Sequence, residues 1–194
     1  MHSFNEGTDW TNLSYLQRGS AVQAEVFALL TKHRVMDKLA AYDPVLVGTV
    51  PIGIETPASD LDVICRYADA ERFESEVTER FGREIGFGCH RSGTGGSEYI
   101  TANFMLERWP VEIYGARLPV REQNGYRHMV VEARLLALLG EAFRERIVRL
   151  KYEGVKTEPA FVRVLGIDGD PYEALLAIES WSDELLQALQ SKEA

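Results

Sequence analysis

LVGTVPIGIETPASDLDVICRY, running from Leu46 to Tyr67, holds two apolar runs, each broken by a polar feature. The first run, PVLVGT, reads as a short buried strand that Gly48 and Thr49 bring to an end. The second, SDLDVICRY, has the apolar character of a strand yet carries Asp60 and Asp62. Alternate residues of a strand share a side, so the two acids face one way while Leu61 and Val63 face the other. Two carboxylates on one face repel each other, and desolvating them is expensive unless positive charge stands between them. A hard divalent cation such as Mg²⁺ meets that demand and shares its coordination with substrate phosphates. An arginine paired with Asp62 would meet it too, so the acid pair alone does not decide.

The upstream run adds weight to the cation. Gly48 lets backbone N–H groups approach a ligand closely. Thr49 supplies a hydroxyl and is placed to cap a short helical turn whose N-terminus would favour phosphate. Pro51 suits a first turn, and Pro57 would limit its extent. A phosphate cradle is thus followed, after a connection of about ten residues, by a metal-binding pair. Adjacent strands would set the two side by side.

Working outward, SAVQAEVFALLTKHRVMDKLAAY (20–42) has helical spacing, with Pro44 as a stop. DAERFESEVTERFG reads as a helix capped by Asp69 and closed near Gly82. REIGFGCHR and EYITANFMLER are strands flanking SGTGG, a hairpin tip rather than a phosphate loop, since no Gly-Lys-Ser/Thr follows it. PVEIYGA is a further strand. From Gly125 the spacing is helical: YRHMVVEARLLALLG, EAFRERIVRLKYEG, a piece around PAFVRVLG, and a last helix from Pro171 that Asp170 and Glu173 open as a capping box. The order predicts an α+β fold, a mixed β-sheet with flanking helices and a helical C-terminal part. Residues 1–120 would form the α/β core with its N-terminal helix, and 121–194 a helical region packed on it.

The composition sets limits. In 194 residues of 45% apolar content there is material for a real core and no apolar run of membrane-spanning length. The N-terminus lacks a secretory pattern, so a cytoplasmic protein with no membrane partner is expected. Cys65 and Cys89 are too few for a disulfide framework, and Cys65 reads as a small buried side chain. Trp10, Trp109 and Trp181 read as packing residues. A net charge of −9 disfavours a protein that coats nucleic acid. Between Arg121 and Thr157, however, eight Lys or Arg face five Asp or Glu, a local patch able to receive a phosphorylated substrate.

GT followed by SDLDVI resembles the signature of the DNA polymerase β-like nucleotidyltransferase superfamily, in which Gly-Ser precedes Asp-x-Asp and a third carboxylate comes from a later strand. Glu112, between Val111 and Ile113, fits that third position; Glu98 and Glu107 are weaker candidates near strand ends. LSYLQRG, GTVPIGI, SDLDVIC, VEIYG and YRHM together resemble an uncharacterised bacterial branch of the superfamily.

The resemblance implies a nucleotidyltransferase-type sheet and a metal-dependent transfer of a nucleoside monophosphate from an NTP to a hydroxyl acceptor. The acceptor is unidentified: a small molecule, a tRNA or a protein, with nucleic acid possible but not favoured. Asp60, Asp62 and Glu112 would bind Mg²⁺ or Mn²⁺ and carry catalysis, and Gly48 and Thr49 would hold the triphosphate. Arg66, close behind the acid pair, is a further nucleotide contact. Arg121, Arg127, His128 and Lys151 are candidate substrate contacts, with His128 and Glu132 sharing a helix face. Thr49 stands where the family has serine, and the proline-bearing VPIGIETPAS lacks the usual basic or glycine-rich character. A catalytically silent member that binds a nucleotide or a partner protein would carry the same motifs.

Overall fold

The computed structural model describes residues 8–190. Its centre is a five-stranded sheet made of β1 (Val45–Val47), β2 (Leu61–Arg66), β3 (Ile85–Ser92), β4 (Tyr99–Leu106) and β5 (Trp109–Ala116), in the order β1-β2-β5-β4-β3. β2 and β5 run parallel, while every other neighbouring pair is antiparallel. The sheet is therefore mixed, with helices on both faces, the α+β architecture that the order of elements predicted.

Alternation along the strands divides the core in two. Leu61, Val63 and Cys65 of β2, Val111 and Ile113 of β5 and Ala102 and Phe104 of β4 point to one face. There they meet α1 (Ala21–Lys32), the short α2 (Val35–Lys38) and α4 (Ala70–Phe81) through Val26, Leu30, Val35, Phe73, Val77 and Phe81. Ser20 and Gln23 open α1 with a full capping box. The predicted single helix over 20–42 is broken after α1, because Arg34 takes a left-handed conformation (φ 54°) that no continuous helix accommodates.

On the opposite face, Val45, Val47 and Ile64 pack against α5 (Asn124–Tyr152), α6 (Thr157–Leu165), α7 (Pro171–Ala177) and α8 (Asp183–Gln190). This cover lies over β1 and the β2 edge and stops short of the sheet centre. The two helices predicted between 126 and 154 follow one another directly, and Gly140 (φ 76°) marks the kink between them. Arg144, beyond the kink, anchors its half by donating to the carbonyls of Ile52 and Gly53, each at 2.9 Å. The predicted last helix is two: α7 ends at Ala177, and Ser182 precedes α8. Asp170 caps α7 through the N–H groups of Tyr172 and Glu173. Trp10 and Trp109 are buried, but Trp181, in the α7–α8 turn, is 38% exposed and is not a core residue.

One close approach pins α4 to the sheet. A Cβ on Gly115 would stand 2.3 Å from the Phe73 ring, so β5 meets the helix there by lacking a side chain. Gly115→Ala is expected to lose about 1–3 kcal/mol by overpacking. In urea denaturation, much of that loss should return when Phe73→Leu is added, a coupling that a double-mutant cycle reads directly.

Candidate functional site

The in-register pairing of β2 with β5 places Asp62 beside Glu112. Asp60 stands one residue ahead of β2 and two before Asp62, on the same side. The three sequence-predicted acids thus share one face of the sheet, at the point where the helical cover ends. They line a cleft of about 1060 Å³ that also takes in Gly48, Thr49, Ser59, Tyr114, Gln123, His128, Glu132, Lys151 and Glu158.

The Gly48–Thr49 turn lies against the acid pair. β1 and β2 are antiparallel with Val47 opposite Asp62, so Gly48 comes directly next to the acid pair. Gly48 has φ 80°, and a Cβ there would sit 2.6 Å from Asp62 Oδ2. Both facts demand glycine. The short helix α3 (Thr49–Ile52) starts immediately after it. Thr49 is its first residue and not its cap: the cap position is Gly48, and the Thr49 hydroxyl donates to Ser59 Oγ at 3.1 Å. α3 is closed by Gly53 in the left-handed region, before Pro57 can act.

Electrostatics set these acids apart. Among the described residues no hydrogen-bond donor and no ion-pair partner is assigned to Asp60, Asp62 or Glu112, whereas exposed carboxylates such as Glu25 and Glu179 hold arginines at 2.6–2.7 Å. Burial, then the neighbouring charges of Asp60, Glu112 and Glu158, push the Asp62 carboxyl up to about 7. Glu112 is raised by burial and by Asp60. The uncompensated negative charge and all-oxygen donor set suit a hard cation. Among the described residues no group of three His, Cys, Asp or Glu is gathered closely enough to hold an ion unaided.

The remaining candidates divide. His128 is buried in the cleft wall, its Nε2 donating to the Tyr172 carbonyl at 3.0 Å and its Nδ1 facing Glu158 at 3.7 Å. Lys151 lines the cleft and donates to Thr157 Oγ1 at 2.7 Å. Burial lowers its ammonium, against the opposing pull of Glu132, Glu158, Asp60 and Glu55. Arg66 and Arg121 do not reach the cleft. Arg66 closes β2 four residues beyond Asp62, about 13 Å along the strand, and both arginines line a separate depression with Asp37 and Asp43. Arg127 is tied to Glu179 at 2.6 Å on the outer side of α5. Of the weaker third acids, Glu98 lines the cleft rim, while Glu107 is held away by Lys32 at 2.7 Å.

Sequence reasoning missed Glu158, Gln123 and Tyr114. Glu158 and Gln123 lie at helix starts, where acidic and polar residues are ordinary. Tyr114 was legible in principle, since it follows Glu112 by two residues on the same strand face.

The sheet order, the parallel central pair and the acid-bearing face define a nucleotidyltransferase-type fold. The chain belongs to the family described as Domain of unknown function (DUF4269), whose model matches residues 28–178. Among solved structures, the Cid1 poly(U) polymerase with MgGTP bound is similar at TM-score 0.51 and 14% identity, over 73% of this chain and 48% of that one. A Cid1 structure described for its RNA terminal uridylyl transferase activity gives 0.52 and 13%, over 79% and 52%. The chain thus spans about half the length of these proteins, and the likeness is one of fold. No curated protein sequence matches it.

In the metal-free protein Asp62 keeps, when folded, a proton that it gives up when unfolded at any pH between its ordinary 3.8 and about 7. The folded state therefore loses stability as pH rises through that window, and the loss is complete above it. Asp62→Asn is expected to stabilise the metal-free protein by about 2 kcal/mol at pH 8 and by almost nothing at pH 4. Thermal melts in EDTA at the two pH values check this.

Proposed function

We propose that this protein is a metal-dependent nucleotidyltransferase that moves a nucleoside monophosphate from an NTP to a hydroxyl acceptor. The observation that carries the reading is the set of three carboxylates on one sheet face, with no ion pair or hydrogen-bond donor assigned to them among the described residues, against the Gly48 turn, where a Cβ would sit 2.6 Å from Asp62 Oδ2. A purely structural trio of partly buried acids calls for counter-charge of the kind that Glu25 and Glu179 have in their arginines.

Asp60 and Asp62 would hold the divalent ions together with the triphosphate oxygens, and Glu112 would complete the acceptor-side ion. Bound there, the ions supply Lewis acidity at the phosphate and lower the barrier to deprotonating the acceptor hydroxyl. The Thr49 and Val50 N–H groups open α3, where they have no partner within the helix, and a phosphate oxygen would meet them. Ser59 and Thr49, joined hydroxyl to hydroxyl, line the same side. Lys151 brings an ammonium close enough to Asp60 for its charge to be felt, and Lys156 stands at the cleft rim. Both would balance the charge of the β- and γ-phosphates.

Transfer forms a bond from the acceptor oxygen to the α-phosphorus while the bond to pyrophosphate breaks. The acceptor proton leaves toward the solvent side of the cleft, with Glu112 as the nearest raised carboxylate to receive it. Most of the rate in such a site comes from alignment and fixed charge.

The test is calorimetric. Each of the four NTPs with Mg²⁺ or Mn²⁺ is titrated into wild type and into the Asp60→Ala/Asp62→Ala variant. Wild type is expected to bind at least one NTP only when metal is present, with the double variant silent. Gly48→Ala should weaken that binding at least tenfold, about 1.4 kcal/mol, while leaving the fold intact by circular dichroism. A folded wild type that binds no triphosphate would overturn the reading in favour of a silent scaffold.

A further inference from the structure

LSYLQRG, which the sequence sets apart beside GTVPIGI, contributes no residue to the cleft. The two stretches meet behind it, at the far end of α3. That helix is four residues long, so it has no interior turn to hold its shape. The N–H groups of Gly53 and Ile54 return to the carbonyls of Val50 and Thr49, each at 3.2 Å. The carbonyls of Pro51, Ile52 and Gly53 accept from side chains instead.

Gln23, on α1, donates its Nε2 to Val50 at 2.8 Å and to Pro51 at 3.2 Å. Arg144, on α5, takes Ile52 and Gly53 through a single nitrogen, Nη1. The two donors converge on one spot: a Cβ on Gly53 would stand 3.5 Å from Nη1 and 3.8 Å from Nε2. They arrive from opposite sides of the sheet, α1 packing in the core that holds Val50 and α5 in the core that holds Ile52. Neither side chain lines the cleft.

The Gln23 amide is itself held in one orientation. Leu16 is wholly buried and seats the LSYLQRG segment against the α1-side core. Gly19 ends the segment, and a Cβ there would collide with Gln23 Oε1. The Ser20 N–H donates to that oxygen at 2.9 Å, and Ser20 Oγ accepts from the Gln23 N–H at 3.1 Å. Turned over, the amide would set its oxygen against two carbonyl oxygens. Opening α1 requires only the capping box. The two further bonds reach 27 and 28 residues along the chain, to the element that Gly48 and Thr49 begin.

Resting on the nucleotidyltransferase reading, we infer that Gln23 and Arg144 are positioning residues for the triphosphate. They touch neither nucleotide nor metal, and they brace α3 so that the Gly48–Thr49 turn keeps its place against Asp62. A misplacement of about 1 Å by a change far from the chemistry can cost about a hundredfold, so a brace on the turn is felt at the phosphates.

The probe is inorganic tripolyphosphate with Mn²⁺, titrated calorimetrically into wild type, Gln23→Met and Arg144→Ala. Affinity is expected to fall about tenfold in each variant. Gln23 is neutral and so is its replacement, so a loss there is not one of charge. Hydrogen exchange should quicken over residues 48–55 in both variants and stay as in wild type across the sheet and α4. Millimolar guanidinium chloride should restore most of the affinity of Arg144→Ala and none of that of Gln23→Met.

Variants that bind tripolyphosphate as wild type does would overturn the inference and leave the nucleotidyltransferase reading standing. Exchange that quickens throughout the chain, or a loss in Arg144→Ala that guanidinium does not restore, would overturn it as general damage to the fold. Should either variant fail to fold by thermal melt, the other carries the test. A folded wild type that binds no tripolyphosphate would bring down the transferase reading and this inference with it.

Discussion

The parallel pairing of β2 with β5 is the constraint on which the site depends. Its register sets Asp62 against Glu112, and period-two alternation then fixes every other neighbour. A slip of one residue would send the acids into the core beside Phe73 and bring Val63 and Ile113 out into the cleft. The hydrophobic face opposes that slip, because Leu61, Val63, Val111 and Ile113 are all buried against α1 and α4. Packing on one side of the sheet thereby holds the acids on the other.

The same sheet explains why negative charge can stand in the molecule without a partner. α5 and its followers cover β1 and the near edge of β2 and reach Tyr114, while Asp62 and Glu112 line the cleft beside that cover. Desolvation is therefore incomplete, and the acids are raised but not wholly buried. Glu132 is the contrasting case. It lies fully inside the wall, where burial and Glu158 raise it well above the ordinary carboxylate range despite Lys151. The cleft holds both kinds of acid, one set open to solvent and phosphate, the other enclosed.

Much of this was legible in the sequence. Alternation placed Asp60 and Asp62 on one face, and Glu112 was identified by its isolation between apolar neighbours. Asp69, Gly82 and the glycine-rich hairpin marked element ends correctly because caps and turns are local. What could not be read depends on where distant segments meet. Arg66 follows the acids by only a few residues, but strand geometry carries it to the far end of β2. Arg127 and His128 are adjacent in the chain, yet one turns outward to Glu179 and the other inward to Glu158. Gln123 gave no signal at all, since its significance lies in two carbonyls contributed by β2 and the β5–α5 connection. Within the superfamily-like core, short-range pattern carried the fold, and long-range contact decided the rest.

Gly140 joins the two halves of the cleft's main wall. His128 and Glu132 ride on the segment before it, which is seated on β1 and β2; Lys151 rides on the segment after it, which Arg144 ties to α3. No atom outside its own helix stands within 4 Å of where a Cβ would be, so the position is roomy. Its positive φ, however, resists every other residue. The two segments of the cleft wall thus meet at one backbone torsion, set apart from the acids on the sheet. A change at that one position would move the two segments against each other and leave Asp60, Asp62 and Glu112 where the sheet holds them.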